Sequence, residues 1–268
     1  MNYNDYYFLY TLYVGKGYWH MKYVLITGGT SGIGFELARL FARDNYGIVI
    51  ASSNIERLEN AKNRLGSEFE NSILIYEQDL SKIGAASELY NRIKADGIYI
   101  DVLINNAGYG LVGPSEKIDL QKDENMLILN VINLVELCKL FLADMYKQGN
   151  GKILNIASTG AFQPGPYTST YFASKAFVLS YSRAIRYEAR KKGIQVCVLC
   201  PGATRTNFFN REGVNIPINA MSAEDVAQYA YKRLIGNKEI SIPGFINKIM
   251  NVFPVKIKMS FVARMKIK

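Results

Sequence analysis

Three observations predict a doubly wound α/β domain with a seven-stranded parallel sheet covered by helices on both faces. Seven short apolar runs recur along the chain, segments of helical apolar spacing separate them, and a glycine-rich turn joins the first run to the first helical segment. Short runs rich in Ile and Val suit strands buried on both faces. Strands alternating with helices build βαβ units with right-handed crossovers.

The runs lie at 22–27, 47–52, 72–78, 100–105, 152–158, 194–200 and 239–243. The helical patterns lie at 32–44, 54–66, 81–96, 119–147, 170–192 and 222–235. The segment 119–147 is apolar almost all round, so it needs a neighbour beyond its own sheet; a second subunit is one candidate, and a homo-oligomer is expected. No repeat or linker interrupts 21–245, which reads as one domain. Residues 1–20 are tyrosine-rich without clear periodicity and read as a disordered extension, an upstream start, or an arm toward substrate or membrane. Residues 246–268 form a basic, amphipathic tail.

Composition narrows the chemistry. The 268 residues are 49% hydrophobic and 21% charged, enough for a sizeable core. No clean apolar stretch of about 18 residues suggests a membrane span, and no secretory signal is visible, so a cytoplasmic location is expected. His20 is the only histidine, which excludes histidine-based zinc sites and triads. No metal site is expected. Cys197 and Cys200 spell C-x-x-C inside an apolar run; side chains three apart on a strand point to opposite faces, so the pair reads as structural. The formal charge of +9 is concentrated after Glu239, where six Lys and Arg follow without an acid. A basic tail on a balanced body argues against nucleic acid as a partner.

The first run leads into Thr27-Gly28-Gly29-Thr30-Ser31-Gly32-Ile33-Gly34 and then a helix. Glycines let backbone N–H groups approach a diphosphate, and the helix N-terminus adds partial positive charge. The G-x-x-x-G-x-G spacing resembles the short-chain dehydrogenase/reductase family, in its one-domain, Rossmann-like branch with TGxxxGxG. Further marks follow in order: Asp79-Leu80 after the third strand, Asn105-Asn106-Ala107-Gly108 after the fourth, Asn130, Ser158, Tyr171-Phe172-Ala173-Ser174-Lys175 as YxxxK, and Pro201-Gly202 with Thr204 and Thr206. The resemblance covers about 22–245. It implies a nicotinamide cofactor held by Gly28, Thr30, Ser31, Gly32, Ile33, Gly34, Asp79, Leu80, Asn105, Ala107, Gly108, Tyr171, Lys175, Pro201, Gly202, Thr204 and Thr206. It also implies a catalytic set of Asn130, Ser158, Tyr171 and Lys175.

The chemistry is physically reasonable. Residues four apart share a helix face, so Lys175 can sit beneath Tyr171. An ammonium about 5 Å from the phenol oxygen, at an effective dielectric near 20, attracts the phenolate by roughly 3 kcal/mol, or about 2 pKa units. Tyr171 can then act as general acid toward a carbonyl, or as general base toward an alcohol. The family implies that Ser158 bonds the same oxygen, that Lys175 also holds the nicotinamide ribose, and that Asn130 holds a water leading to solvent.

The second strand ends Ala51-Ser52-Ser53-Asn54. No acid is there to bind a ribose 2′-OH, while Ser52, Ser53 and Asn54 can donate to a phosphate and Arg57 is one turn further on. NADP is favoured, with NAD as the alternative. Tyr109, Leu111, Phe162, Pro164, Tyr167, Phe208 and Phe209 are candidate pocket residues. No second Arg or Lys is posed for a charged group, so a hydrophobic carbonyl or secondary alcohol is expected as substrate. In the tail, Ile246, Ile249, Met250 and Phe253 repeat at helical spacing until Pro254 breaks the pattern; the segment can lie on an anionic membrane, cover the pocket or pack on a partner subunit. The alternative to an oxidoreductase is a cofactor-binding regulatory or membrane-surface protein with little catalysis.

Overall fold

The structure is a computed structural model in which residues 21–208, 217, 219–250 and 253–266 are described. The extension 1–20, with His20, and Phe209 in the segment after Phe208 lie outside the described residues. The chain alternates β1 (Tyr23–Thr27), α1 (Gly32–Arg43), β2 (Gly47–Ser52), α2 (Ile55–Gly66), β3 (Ile73–Glu77), α3 (Ala85–Ala95) and β4 (Ile100–Asn105). After α4 (Leu120–Leu127) and α5 (Asn133–Gln148) come β5 (Lys152–Ile156), α6 (Ser169–Ala189) and β6 (Gln195–Leu199). A small parallel pair, β7 (Thr204–Arg205) with β8 (Met221–Ser222), precedes α7 (Ala223–Ile235) and β9 (Ile240–Ser241). The chain then turns into α8 (Phe245–Met250) and α9 (Val255–Lys266).

Seven strands form one parallel sheet in the order β3-β2-β1-β4-β5-β6-β9. Strand alternation divides the core into two layers. Leu25, Val49, Leu103, Ile153 and Val196 face α3, α5 and α6. Val24, Ile26, Ile48, Ile104 and Leu154 face α1, α2 and α7. Cys197 lies in the second layer and Cys200 in the first, so the two thiols point to opposite faces, and no cluster among the described residues could hold a metal ion. The order reverses between β1 and β4. Loops at the carboxyl ends of those strands diverge there and open the crevice where such sheets bind ligands.

Three predicted elements differ. The segment 119–147 is not one regular helix: a π-helical turn, Ile128–Ile132, separates α4 from α5. By length and composition the combined Leu120–Gln148 segment could cross a membrane, unlike the sequence expectation. In the fold it lies on the sheet, burying Leu134, Leu137, Phe141 and Met145. The last strand is two residues long rather than five, because only Ile240 and Ser241 pair with β6. Pro254 does stand at the break in the helical tail, but a second helix follows it. α9 begins at the next residue, and a proline fits a helix start because its missing N–H would have no partner there.

One polar side chain fixes α5 to the loop after β3 and the start of α3. Buried Asn133 donates from Nδ2 to the carbonyls of Leu80 (2.7 Å) and Lys82 (2.8 Å), and its Oδ1 accepts from the Ala86 N–H (3.1 Å). The loop after β3 is thereby held at the crevice. Asn133→Leu would strand two carbonyls and an N–H, and is expected to cost about 3 kcal/mol. Urea unfolding monitored by circular dichroism measures this; an unchanged midpoint would show that the loop supplies its own partners.

Candidate active site

Two loops meet at the reversal point. The Gly28 N–H bonds the Ala51 carbonyl at 2.8 Å, fixing the glycine turn to the end of β2. The Thr27 hydroxyl accepts from the N–H groups of Asn106 and Ala107, each at 3.0 Å. Asn106 Nδ2 returns two bonds, to the carbonyls of Thr27 and Gly28, both 3.0 Å. Asn106 thus clamps the turn to β4; the sequence reading passed over it in favour of its neighbours. Gly32 has φ +58, and a Cβ there would stand 2.8 Å from Thr206 Cγ2. Only glycine fits that conformation and contact cheaply, and the contact brings the loop after β6 against the turn.

The start of α1, like that of α6, lacks a side-chain cap. Its N-cap, Ser31, makes no side-chain cap bond, and no acid lies in its first turn. By contrast, α2, α4 and α7 are capped by Asn54, Asp119 and Ser222. The first N–H groups of α1, beside Thr30, Gly32, Ile33 and Gly34, therefore present an uncompensated positive end toward the crevice. A diphosphate fits such a place.

The catalytic candidates gather at the carboxyl ends of β4 and β5. On α6, Tyr171 and Lys175 are both buried. The Lys175 ammonium donates to the carbonyl of Ile156, the last residue of β5, at 2.9 Å. It lies 5.8 Å from the centre of the Tyr171 ring. A Cβ on Gly108 would stand 3.3 Å from Lys175 Nζ and 2.9 Å from Asn130 Oδ1, so the end of β4 lies directly against both side chains. Burial pushes the Lys175 pKa down to about 8, opposed by the nearby Cys200 thiol. The ammonium therefore persists at neutral pH. Phe172 and Phe208 flank the Tyr171 ring at 6.0 and 5.5 Å between centroids.

Ser158 follows β5 and caps a short 3-10 turn, Thr159–Phe162, its Oγ accepting from the Gly160 N–H at 3.0 Å. The hydroxyl hydrogen is the remaining donor. The Thr159 N–H bonds the Pro201 carbonyl at 2.9 Å, joining the Ser158 loop to the Pro201-Gly202 loop. Thr204 turns its hydroxyl back to the Gly202 carbonyl at 3.0 Å, and β7 pairing with β8 closes the base of the excursion beyond Thr206.

Asn130 occupies the π-helical turn and is fully buried. Its Oδ1 accepts from the Tyr109 N–H (3.3 Å), and its Nδ2 donates to the Tyr109 carbonyl (3.0 Å) and to Ser174 Oγ (3.2 Å). The side chain thus ties the segment after β4 to α6. Burial, with Asp79 and Asp123 nearby, raises the Tyr109 pKa. Tyr109 also donates its hydroxyl to the Lys122 carbonyl at 3.1 Å. Tyr167, among the other pocket candidates, has φ +62, an unusual conformation for an aromatic residue.

Several predicted contacts need correction. The Asn105 side chain does not face the crevice: its Nδ2 donates to Asn155 Oδ1 (2.9 Å) and Cys138 Sγ (3.2 Å) inside the core. Strand alternation carries that signal, since Asn105 shares a face with Leu103. The Asn54 carboxamide oxygen caps α2 through the Arg57 N–H at 2.8 Å, which orients its Nδ2 donor beside Ser52 and exposed Ser53 at the end of β2. An acid does stand at this end of the sheet, on β3: Glu77 pairs in register with Ser52 and accepts the Ile55 N–H at 3.2 Å. Asp79 accepts from Ser81 N–H and Oγ, and Leu80 is buried beside it. A cation also nears the pocket loop, because buried Lys258 on α9 donates to the Phe162 carbonyl at 3.2 Å.

Residues 22–215 match the sequence profile described as short chain dehydrogenase. A very-long-chain 3-oxoacyl-CoA reductase of Bos taurus is 29% identical over 193 residues, covering 70% of this chain and 61% of the relative. The chain thus spans less than two thirds of that relative's length. A solved short-chain dehydrogenase from Sphingobium yanoikuyae in complex with NADPH superposes with a TM-score of 0.80 at 28% identity, covering 91% of this chain and 94% of that one. A bulky-bulky ketone specific alcohol dehydrogenase from Comamonas testosteroni gives 0.77 at 28% identity, covering 92% and 95%. The profile spans the glycine turn, the Ser158 loop and α6 in one continuous match, and the same segments frame the crevice in the fold. The chain belongs to the short-chain dehydrogenase family.

Proposed function

We propose that the protein is an NADP(H)-dependent oxidoreductase that interconverts a hydrophobic carbonyl and its secondary alcohol. The observation that carries this reading is the Lys175 ammonium, buried at the carbonyl end of β5 and one turn along the helix from Tyr171. The uncapped start of α1, with Gly28, Gly32 and Thr206, would hold the diphosphate. The ends of β4 and β6, with Lys175, would hold the nicotinamide half. Bound NADP(H) supplies or accepts the hydride. Tyr171 gives its proton to the carbonyl oxygen in reduction and takes the hydroxyl proton in oxidation. Ser158 donates to the same oxygen and stabilises its developing charge. Lys175, whose ammonium lies 5.8 Å from the ring centre, favours the phenolate electrostatically.

The cofactor reading is supported by the solved relative described with NADPH, by the two serines and absent acid at the end of β2, and by exposed Arg57 in the first turn of α2. Glu77 opposes it, because its carboxylate occupies the N-terminal N–H of α2. The apolar substrate is supported by Phe208 and Phe172 around Tyr171 and by the ketone-specific relative. Exposed Leu127, Ile132 and Phe177 on α4, the π turn and α6 support a homo-oligomer.

A panel of apolar ketones, aldehydes and secondary alcohols, assayed with both nicotinamides, tests the reading. On the best substrate, Tyr171→Phe should lower turnover by about 100-fold or more while NADPH still binds within about twofold, as read by its fluorescence; undiminished turnover would refute the tyrosine mechanism. Glu77→Gln should raise kcat/KM with NADPH relative to NADH by about tenfold, the loss of one nearby like charge. Arg57→Ser should move the ratio the other way. A ratio indifferent to both changes would remove these residues from cofactor choice.

Lys175 also has a stability signature. Its folded pKa, about 8, lies below its ordinary value of 10.5. The unfolded chain therefore holds the extra proton between those values, and stability rises with pH across that window. Below about pH 8 the full penalty of the buried charge is present. Relative to Lys175→Met, the cofactor-free protein should gain about 3 kcal/mol between pH 8 and 10.5. Denaturant midpoints for both proteins at several pH values measure the difference; a constant difference would contradict the buried ammonium.

A further inference from the structure

The tail folds into two helices whose inner side is anchored beside the active-site loops. Lys258 and Val262, one turn apart on α9, are buried, and Lys258 bonds the Phe162 carbonyl. From α8, Asn247 reaches the Pro201-Gly202 loop: its Nδ2 would stand 2.5 Å from a Cβ on Gly202. This fixed inner side dictates what faces water. On α8, Phe245 and Ile246 are 76% and 65% exposed; on α9, Ile257 and Phe261 are 54% and 51% exposed. Exposed Lys248, Lys256 and Arg264 are interleaved with them.

We propose that the outer side of α8 and α9 docks on an anionic lipid surface. Large apolar side chains held in water need a cover, and the interleaved cations choose it. Beyond Glu239 the sequence has no acid. A second copy placed face to face would repeat the patch against itself, setting cation against cation. An anionic headgroup layer offers opposite charge at its surface and acyl chains just beneath, matching a helix of mixed apolar and basic character. Helices of 6 and 12 residues are too short to cross a bilayer, so the segment lies on the surface. Docked this way, the loops after β5 and β6, which carry Ser158 and Gly202, stand next to the membrane.

The test is vesicle flotation of the full chain with phosphatidylcholine alone and with phosphatidylcholine containing phosphatidylglycerol. Binding should be about tenfold or more tighter to the anionic vesicles and should weaken as salt rises. Phe245→Ser with Ile246→Ser, Ile257→Ser and Phe261→Ser should abolish it, as should Lys248→Gln with Lys256→Gln and Arg264→Gln. NADPH fluorescence and circular dichroism, unchanged in both variants, establish that they are folded. Both readouts are independent of turnover, so a failure of the reductase reading leaves this result interpretable. No binding by the parent chain, or binding that survives in both folded variants, overturns the proposal. So does a serine variant whose only change is a lower mass by light scattering, which would assign the surface to a second copy.

Discussion

The site is organised around one buried ammonium. Lys175 comes out of water onto the carbonyl of Ile156, and that bond sets where α6 lies over the end of β5. Burial alone works against the charge and draws the pKa down to about 8. The margin above neutrality is small, yet the charged form is still the favoured one at pH 7. A lysine pushed further down would be neutral and could not favour a phenolate. A lysine left in water would be screened and worth little to its neighbour. The useful range lies between, where the helix, the strand end and Gly108 enclose the amine without starving it of an acceptor.

Around that point the loops are bound to one another rather than merely adjacent. Thr27 and Asn106 exchange bonds across β1 and β4, Gly28 is held to β2, and Thr159 is held to Pro201. Each bond extends a strand pair past the formal end of the sheet. The crevice at the topological reversal is thus lined by backbone whose position follows from sheet register. Register is strongly fixed in strands buried on both faces, since a one-residue slip exchanges the two core layers. Sheet register and these loop bonds together therefore fix the glycine turn relative to the ends of β4, β5 and β6.

The parts legible in the sequence were those with local signatures. The Ile- and Val-rich runs gave the sheet, and motif order gave the residues around the crevice. What was not legible depends on contacts between distant segments. Ile128-Leu129-Asn130-Val131-Ile132 suits an ordinary helix as well as a π turn, and no local propensity separates them. The wider turn is where Asn130 meets the Tyr109 backbone and Ser174, partners 21 and 44 residues away. The acid at this end of the sheet, Glu77, was hard to read because it stands on β3, while the helix N–H it binds belongs to Ile55. Asn105 is a different case: alternation along β4 already placed it with Leu103, and a motif read as a unit hid that.

The tail shows how local and long-range information combine. Its mixture of apolar and basic residues was plain from the sequence, but the sequence did not decide which residues face inward. Burial of Lys258 rather than Lys256 decides it, because the two lie about 200° apart around the helix. Once Lys258 is fixed to the Phe162 carbonyl, Ile257 and Phe261 are turned outward. The contact at Gly202 then places α8 over the loop after β6. The inner side of the two helices thus lies against the loops after β5 and β6.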